Sequence, residues 1–124
     1  MIRVLWVSRD DAFLSNAAGA MDAFDIDAKG AKSGREALSV LSKESYDMVI
    51  ADETLGDMTG LGFAEKLVRV SPMTNCAVVS SLSPEAFHEA GEGLGILMQL
   101  PPRPGNPDVE KLLKHLKGIL DSVR

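Results

Sequence analysis

The sequence predicts an α/β domain in which helices cover both faces of a doubly wound parallel sheet. Short apolar runs alternate five times with longer segments of helical periodicity, and the loops between them are short. This alternation is typical of parallel sheets, because a chain that returns to begin the next parallel strand needs a helix-sized connection. Most of the apolar runs contain no polar residue, as expected for strands buried on both faces. A chain of 124 residues fits one such domain, spanning residues 1–124.

The composition excludes several classes of protein. Lys and Arg number 13 and Asp and Glu number 18, so the net charge is −5 and the pI is near 4.9, which argues against a nucleic-acid-binding surface. No stretch approaches the roughly 20 apolar residues that a membrane-spanning helix requires. The single cysteine, Cys76, permits no internal disulfide and suits a reducing compartment. We therefore expect a cytoplasmic protein that binds neither nucleic acid nor membrane.

Three strands and two helices are predicted in the first half of the chain. The strands are Val4–Val7, the weakly patterned Ile26–Ala31, and Met48–Ala51. The first helix, Asp11–Phe24, is predicted from apolar residues that recur at intervals of three and four, with acids in its first turn. The second helix, Arg35–Ser42, follows a capping box in which Ser33 caps the helix and Glu36 reaches back.

Two strands and three helices are predicted in the second half. The strands are Ala77–Val79 and Ile96–Met98, and Cys76 at the start of the former is expected in the core. Capping residues and helical spacing predict the helices Leu61–Val70, one that begins at Pro84 after the cap Ser83, and one from the cap Asn106 to Leu120.

The ligand site of a doubly wound sheet lies at the carboxyl ends of its strands. The loops that meet there begin at Ser8, Asp52, Ser80 and Leu100. They carry a cluster of acidic and basic residues, a pair of acids, a pair of serines and a Leu-Pro-Pro sequence, in that order. No glycine-rich phosphate loop follows any strand, which disfavours a small nucleotide-binding enzyme.

Two stretches of the chain resemble response-regulator receiver domains. Residues 46–60, YDMVIADETLGDMTG, are similar to the family's signature of a strand, the acceptor and the loop after it. Residues 31–38, AKSGREAL, are similar to the segment that leads into its second helix. The resemblance implies a (βα)5 three-layer sandwich with the flavodoxin-like strand order 2-1-3-4-5. It also implies a module of a two-component phosphorelay that is not an enzyme beyond self-phosphorylation, with Asp52 at the phosphoacceptor position.

The resemblance also implies a Mg²⁺ site beside the acceptor. The cation offsets the repulsion between the acceptor carboxylate and the incoming phosphoryl group, which is about 4 kcal/mol for unit charges roughly 4 Å apart at an effective dielectric near 20. By resemblance, its ligands are Asp52, Asp10 and the backbone carbonyl of Thr54. Ser80 takes the position of the hydroxyl that hydrogen-bonds the phosphoryl oxygen.

Five positions depart from the family pattern. Ser8 and Arg9 stand where the family has two adjacent acids, and Leu100 stands where it has a lysine. Leu97 replaces a residue that is commonly an aromatic switch, and Gly56 replaces the usual proline four residues after the acceptor. These departures put the metal, and therefore phosphorylation, in question without affecting the predicted fold.

Three arrangements of the charged residues after the first strand are open. In the first, Arg9 takes the space of the cation and pairs with Asp52. In the second, Arg9 is exposed and pairs with Asp10 or Asp11, which contributes ~0–1 kcal/mol. In the third, the alignment shifts by two residues and Asp10 and Asp11 take the places of the two acids.

Two functions follow from these arrangements. The first is a receiver that takes a phosphoryl group on Asp52 from a histidine kinase or phosphotransfer protein and signals to a downstream protein. The alternative is a phosphorylation-independent, receiver-like interaction module with an Arg9-occupied site. Homodimerisation is common in the family and is compatible with either function.

Overall fold

A five-stranded parallel sheet forms the centre of the domain. The computed structural model describes residues 2–10, 12–15 and 17–122, without the side chains of residues 14 and 18. Its strands are β1 (Ile2–Val7), β2 (Ile26–Ala31), β3 (Met48–Ala51), β4 (Asn75–Val79) and β5 (Ile96–Leu100). They lie in the order β2-β1-β3-β4-β5 and all neighbouring pairs are parallel. The predicted doubly wound sheet and its strand order are confirmed.

Helices cover both faces of this sheet. They are α1 (Ala12–Ser15), α2 (Ala18–Ala23), α3 (Gly34–Leu41), α4 (Gly60–Val70), α5 (Pro84–Ala90) and α6 (Asn106–Ser122). One hydrophobic core joins the sheet to α1, α2 and α6, and the other joins it to α3, α4 and α5. Within the described part of the chain, none of the helices is long and apolar enough to cross a membrane.

Alternation along the strands distributes side chains between the two cores. Val4 and Trp6 of β1 pack on the α6 side of the sheet, whereas Leu5 and Val7 pack on the α4 side. Both sets are nearly completely buried, which explains why the central strands read as unbroken apolar runs. Cys76 lies in the second core as expected, and burial raises the pKa of its thiol to about 12.

The predicted caps of two helices are confirmed. The hydroxyl of Ser33 accepts the backbone N–H of Glu36 at 3.0 Å, and the Glu36 carboxylate accepts the backbone N–H of Lys32 at 2.9 Å. The hydroxyl of Ser83 accepts the backbone N–H of Ala86 at 3.2 Å, with Pro84 following it. Each cap satisfies backbone donors that a helix leaves unpaired in its first turn.

The first helix and the last helix differ from the prediction. The segment predicted as one helix, Asp11–Phe24, contains α1 and α2, and Ala17 between them has a non-helical backbone; residues 11 and 16 lie outside the described part. Asn106 does not cap α6, because α6 already includes it and its side-chain oxygen accepts the backbone N–H of Ala20 at 3.4 Å. That contact joins α6 to α2.

Candidate functional site

Asp52 follows β3 directly, at the carboxyl edge of the sheet. Its backbone N–H donates to the carbonyl of Val7 at 2.9 Å, which continues the pairing of β3 with β1 by one residue. The half-buried side chain is held at both oxygens. Oδ2 accepts the hydroxyl of Ser8 at 2.7 Å, and Oδ1 accepts the backbone N–H of Glu53 at 2.8 Å.

Ser8 is the residue that β1 brings to this carboxylate. Its backbone N–H donates to the carbonyl of Ala31 at 3.0 Å, so the β1 ladder with β2 extends to Ser8. Its side chain is buried, and its Oγ donates to Asp52 while accepting the backbone N–H of Asp10 at 3.0 Å. Hydrogen bonds to an ionised carboxylate are among the stronger ones in proteins, so this contact fixes the orientation of Asp52.

The next two strands bring Ser80 and Leu100 to the same edge. Ser80 is buried after β4, and its backbone N–H donates to the Leu100 carbonyl at 3.0 Å. The Ser80 Oγ accepts the backbone N–H of Leu82 at 3.1 Å, which leaves the hydroxyl proton available to another acceptor. The Leu100 side chain is buried in the α6-side core and contributes no charge to the edge.

Glu53 and Gln99 hold the β4–α5 loop, defined as residues 80–83. The Glu53 Oε2 accepts both the backbone N–H of Ser81 at 2.7 Å and its hydroxyl at 2.8 Å. The Gln99 Nε2 donates to the carbonyls of Ser80 at 3.2 Å and Leu82 at 2.8 Å. The loop beside Asp52 is therefore fixed from the acceptor strand and from β5.

A comparison with known families identifies the family of this chain. The family model of the response regulator receiver domain matches residues 4–101, from Val4 in β1 to the residue after β5, and leaves out α6. The chain belongs to the response-regulator receiver family. None of the curated proteins compared with it is significantly similar.

Solved structures of receivers have the same fold at low sequence identity. The chemotaxis response regulator CheY4 of Vibrio cholerae is 20% identical, with a TM-score of 0.82 over 94% of this chain and 98% of that one. A CheY-like receiver domain protein from Methanospirillum hungatei JF-1 is 20% identical, with a TM-score of 0.83 over 98% of each chain. A two-component response regulator from Clostridium difficile is 18% identical, with a TM-score of 0.82 over 100% and 99%.

The ion pair expected between Arg9 and Asp52 is not present in this receiver. Both residues are described, and Asp52 is bound by Ser8 instead. Arg9 is exposed, and its side chain lies over Gly56, where a Cβ would come within 2.8 Å of the Arg9 Cδ. Gly56 has a φ of +88°, which a proline cannot adopt, so glycine replaces the usual proline in a different turn. The Arg9-occupied site is therefore corrected to a Ser8-bound one.

The described donor atoms are a poor fit for the expected Mg²⁺. The Asp10 carboxylate is exposed and accepts the backbone N–H of Ala12 at 2.9 Å, so it serves as a cap for α1. Thr54 lies opposite Thr59 across the loop, but the hydrogen bonds there run from Gly60 to the Glu53 carbonyl at 2.9 Å and from Leu55 to the Met58 carbonyl at 2.8 Å, so this pairing does not use the Thr54 carbonyl. In the described part of the chain, no three His, Cys, Asp or Glu residues lie close enough to hold a metal. Asp11 lies outside the described residues. Mg²⁺ usually keeps several waters and takes one or two protein carboxylates, and with the Asp10 carboxylate bound to α1, only that of Asp52 remains from the expected set.

Leu97 lies on β5, at a register shift in its pairing with β4. Cys76 is opposite Ile96 and Ala77 is opposite Met98, so Leu97 is an extra residue on its strand. Its half-buried side chain packs against the α6-side core. Leu97, which the resemblance places at the position of the aromatic switch residue, thus lies at a bulge.

Three residues that contribute to this edge were not singled out from the sequence: Glu53, Gln99 and Asp57. Asp57 accepts the backbone N–H groups of Gly34 and Arg35, both at 3.0 Å, and these hydrogen bonds lower the pKa of its carboxyl. It thereby joins the acceptor loop to the first turn of α3. Glu53 could have been found, because it lies two residues after β3 and the neighbouring strand β4 is followed by two serines.

We predict that Glu53→Ala will loosen the β4–α5 loop without unfolding the domain. The substitution removes both hydrogen bonds to Ser81, so the amide of Ser81 should exchange with solvent roughly tenfold faster, as expected for the loss of about 1.4 kcal/mol of local protection. Hydrogen exchange followed by mass spectrometry measures this. Glu89→Ala, on the exposed end of α5, is the matched control. Unchanged exchange at Ser81 in Glu53→Ala would contradict the prediction.

Proposed function

We propose that residues 1–124 form a cytoplasmic receiver domain of a two-component phosphorelay that accepts a phosphoryl group on Asp52. The observation that supports this most directly is the position of the Asp52 carboxylate, half-exposed at the end of β3 and adjacent to the loops after β1 and β4. The proposed phosphoryl donor is a histidine kinase or a phosphotransfer protein, and the proposed target of the signal is a downstream protein. No enzymatic activity beyond self-phosphorylation is proposed.

The transfer is a displacement at phosphorus. A carboxylate oxygen of Asp52 attacks the phosphorus of a phosphohistidine, an O–P bond forms, and the N–P bond breaks. The imidazole nitrogen keeps the electron pair of the broken bond and takes up a proton. Each oxygen of Asp52 accepts one hydrogen bond in the structure, so each retains a lone pair for the attack.

Of the two hydroxyl groups at this edge, that of Ser80 is available to the transferred group and that of Ser8 is not. The Ser80 proton can be donated to a phosphoryl oxygen, because the hydrogen bond of its Oγ with Leu82 uses only a lone pair. Ser8 already donates to Asp52 and holds the carboxylate in place. Neither group carries a charge, so the repulsion between the carboxylate and the phosphoryl group is only partly offset. We therefore expect slow phosphorylation by small donors.

The decisive experiment is incubation with acetyl phosphate and Mg²⁺, followed by intact mass measurement. We expect the mass to increase by one phosphoryl group, and we expect no increase in the Asp52→Asn variant. Asn has nearly the same shape as Asp but cannot form the aspartyl phosphate, so the pair isolates the nucleophile. Equal incorporation in both proteins would refute the assignment of Asp52.

The second candidate function is constitutive docking of a protein partner without phosphorylation. It is supported by the neutral residues Ser8 and Leu100 at positions where receivers have charged ones, and by the four hydrogen bonds that fix the β4–α5 loop. If neither acetyl phosphate nor a phosphorylated histidine domain modifies the chain, this function is favoured. A homodimer is one form that such docking could take, and sedimentation measures it.

A further inference from the structure

Residues 53–60 form a short hairpin between the acceptor and α4, which we call the acceptor hairpin. At its base, the backbone N–H of Gly60 donates to the Glu53 carbonyl at 2.9 Å, and near its tip, that of Leu55 donates to the Met58 carbonyl at 2.8 Å. An antiparallel bridge lies between these two hydrogen bonds. Small hydrogen-bonded units of this kind tend to move as a whole, so a displacement at the base is carried to the tip.

The tip of the acceptor hairpin is bound to the first turn of α3. The Asp57 carboxylate accepts the backbone N–H groups of Gly34 and Arg35, one on each oxygen and both at 3.0 Å. A carboxylate is favourable there, because the first turn of a helix leaves backbone donors unpaired and carries the positive end of the helix dipole. The Met58 side chain covers the buried Gly34, and a Cβ on that glycine would overlap it. The tip and α3 therefore cannot separate without losing these contacts.

The base of the acceptor hairpin is bound to the acceptor side chain. The backbone N–H of Glu53 donates to Asp52 Oδ1 at 2.8 Å, and the Ser8 hydroxyl donates to Oδ2. Ser8 is buried and Glu53 is half-buried, which favours Oδ1 as the oxygen that attacks phosphorus. In the acyl phosphate this oxygen bridges carbon and phosphorus and loses its negative charge. Its hydrogen bond with Glu53 is then weakened, because the strong acceptor is an ionised oxygen.

We propose that the acceptor hairpin couples the acceptor site to α3, so that phosphorylation of Asp52 loosens the first turn of that helix. Weakening the hydrogen bond at Oδ1 frees the base of the hairpin, and the closed hairpin carries the change to Asp57. Arg35 and Glu36 are exposed in that turn of α3, so a downstream protein that binds there would distinguish the two states. The regulation rests on the proposed phosphorylation, but the coupling belongs to the unmodified protein. Since coupling between two sites is reciprocal, a change at the tip must also alter the base.

Asp57→Ala tests the coupling without a phosphoryl group. The substitution removes both hydrogen bonds between the tip and α3 and leaves the donors and acceptors at the base in place. We expect the amides of Gly34 and Arg35 to exchange with solvent about tenfold faster and that of Glu53 roughly threefold faster, measured by NMR. Faster exchange at Gly34 and Arg35 alone would show a purely local contact and would overturn the coupling.

A second variant perturbs the tip from the side of α3. In Gly34→Ala the new Cβ displaces the Met58 side chain while Asp57 is retained, and we again expect faster exchange at Glu53. Asp108→Ala is the matched control, because the Asp108 carboxylate accepts the backbone N–H of Gly105 at 2.9 Å beside α6, on another helix. It should leave the exchange of the Glu53 amide unchanged. Equal acceleration at Glu53 in Asp108→Ala would mean general loosening of the domain and would overturn the proposal.

The phosphorylated protein tests the regulation of α3. In acetyl phosphate and Mg²⁺, the amides of Gly34 and Arg35 should exchange about tenfold faster than in the unmodified protein, and Asp52→Asn should show no change under the same treatment. A gain of one phosphoryl group with unchanged exchange in α3 would overturn this inference and leave the proposed function standing. No gain of mass would refute the proposed function and the regulation with it, whereas faster exchange at Glu53 in Asp57→Ala would still establish the coupling.

Discussion

Gly60→Ala should lower the free energy of unfolding by about 3 kcal/mol, because α4 begins against the backbone of the acceptor strand. A Cβ at residue 60 would collide with the carbonyl oxygen of Asp52 and would lie 2.9 Å from the Val78 Cγ1. The carbonyl belongs to backbone that is paired with β1, so it cannot move without disturbing the site. Urea denaturation measures the change, and the melting temperature should fall by roughly 10 °C.

The control for this prediction is the helical glycine at residue 118. Gly118→Ala replaces an exposed glycine in α6 where a Cβ meets nothing within 4 Å. Alanine has the higher helix propensity, so this variant should be more stable by about 0.5–1 kcal/mol. If both variants changed stability in the same direction and by similar amounts, the proposed collision at the acceptor strand would be wrong.

The fold could be predicted because its signals are local and periodic. The apolar run from Met48 to Ala51 predicted β3 to the residue, because a strand buried on both faces tolerates no polar side chain. The prediction for β5 ended at Met98 because Gln99 is polar, but the strand continues to Leu100. The Gln99 side chain hydrogen-bonds the β4–α5 loop. A polar side chain that hydrogen-bonds the backbone of a neighbouring loop interrupts the apolar pattern from which its strand is predicted.

Helix caps formed by a residue next to the helix were predicted only in part. Ser33 and Ser83 were found, whereas Thr59 was not, although its hydroxyl accepts the backbone N–H of Gly62 at 3.0 Å. The predicted start of that helix, Leu61, is its first apolar residue, and the helix begins one residue earlier at Gly60. Asn106 is a residue type that often caps helices, but its side chain accepts a hydrogen bond from Ala20 of α2. No local sequence pattern predicts such a long-range contact.

The site was predictable in position but not in its pairing. Strand order places the residues after β1, β3 and β4 at one edge, so Asp52, Ser8 and Ser80 could be brought together from sequence. Which side chain contacts Asp52 depends on whether β1 continues for one more residue. The backbone hydrogen bond from Ser8 to Ala31 continues that strand, and this places Ser8 at the carboxylate and Arg9 outside.

Ser8→Asp should make the stability of the domain depend on Mg²⁺ at the carboxyl edge of the sheet. The substitution removes the 2.7 Å hydrogen bond to Asp52 and places a second carboxylate beside it. Without a divalent cation, the lost bond and the repulsion together should lower the free energy of unfolding by about 3 kcal/mol. Mg²⁺ at about one hundred times its dissociation constant should restore about 2.7 kcal/mol, because it binds the folded pair of carboxylates.

Thermal unfolding with EDTA and with Mg²⁺ measures this effect, and Ser8→Asn and Ser8→Ala are the controls. Both controls lose the Ser8 hydroxyl but add no charge, so they should be destabilised by about 1.5 kcal/mol with no response to Mg²⁺. Incorporation of phosphate from acetyl phosphate should rise at least tenfold in Ser8→Asp with Mg²⁺, since tenfold corresponds to about 1.4 kcal/mol of repulsion offset in the transition state. A wild-type protein that already responded to Mg²⁺ as strongly as Ser8→Asp would show that Ser8 is not what keeps the cation from this edge.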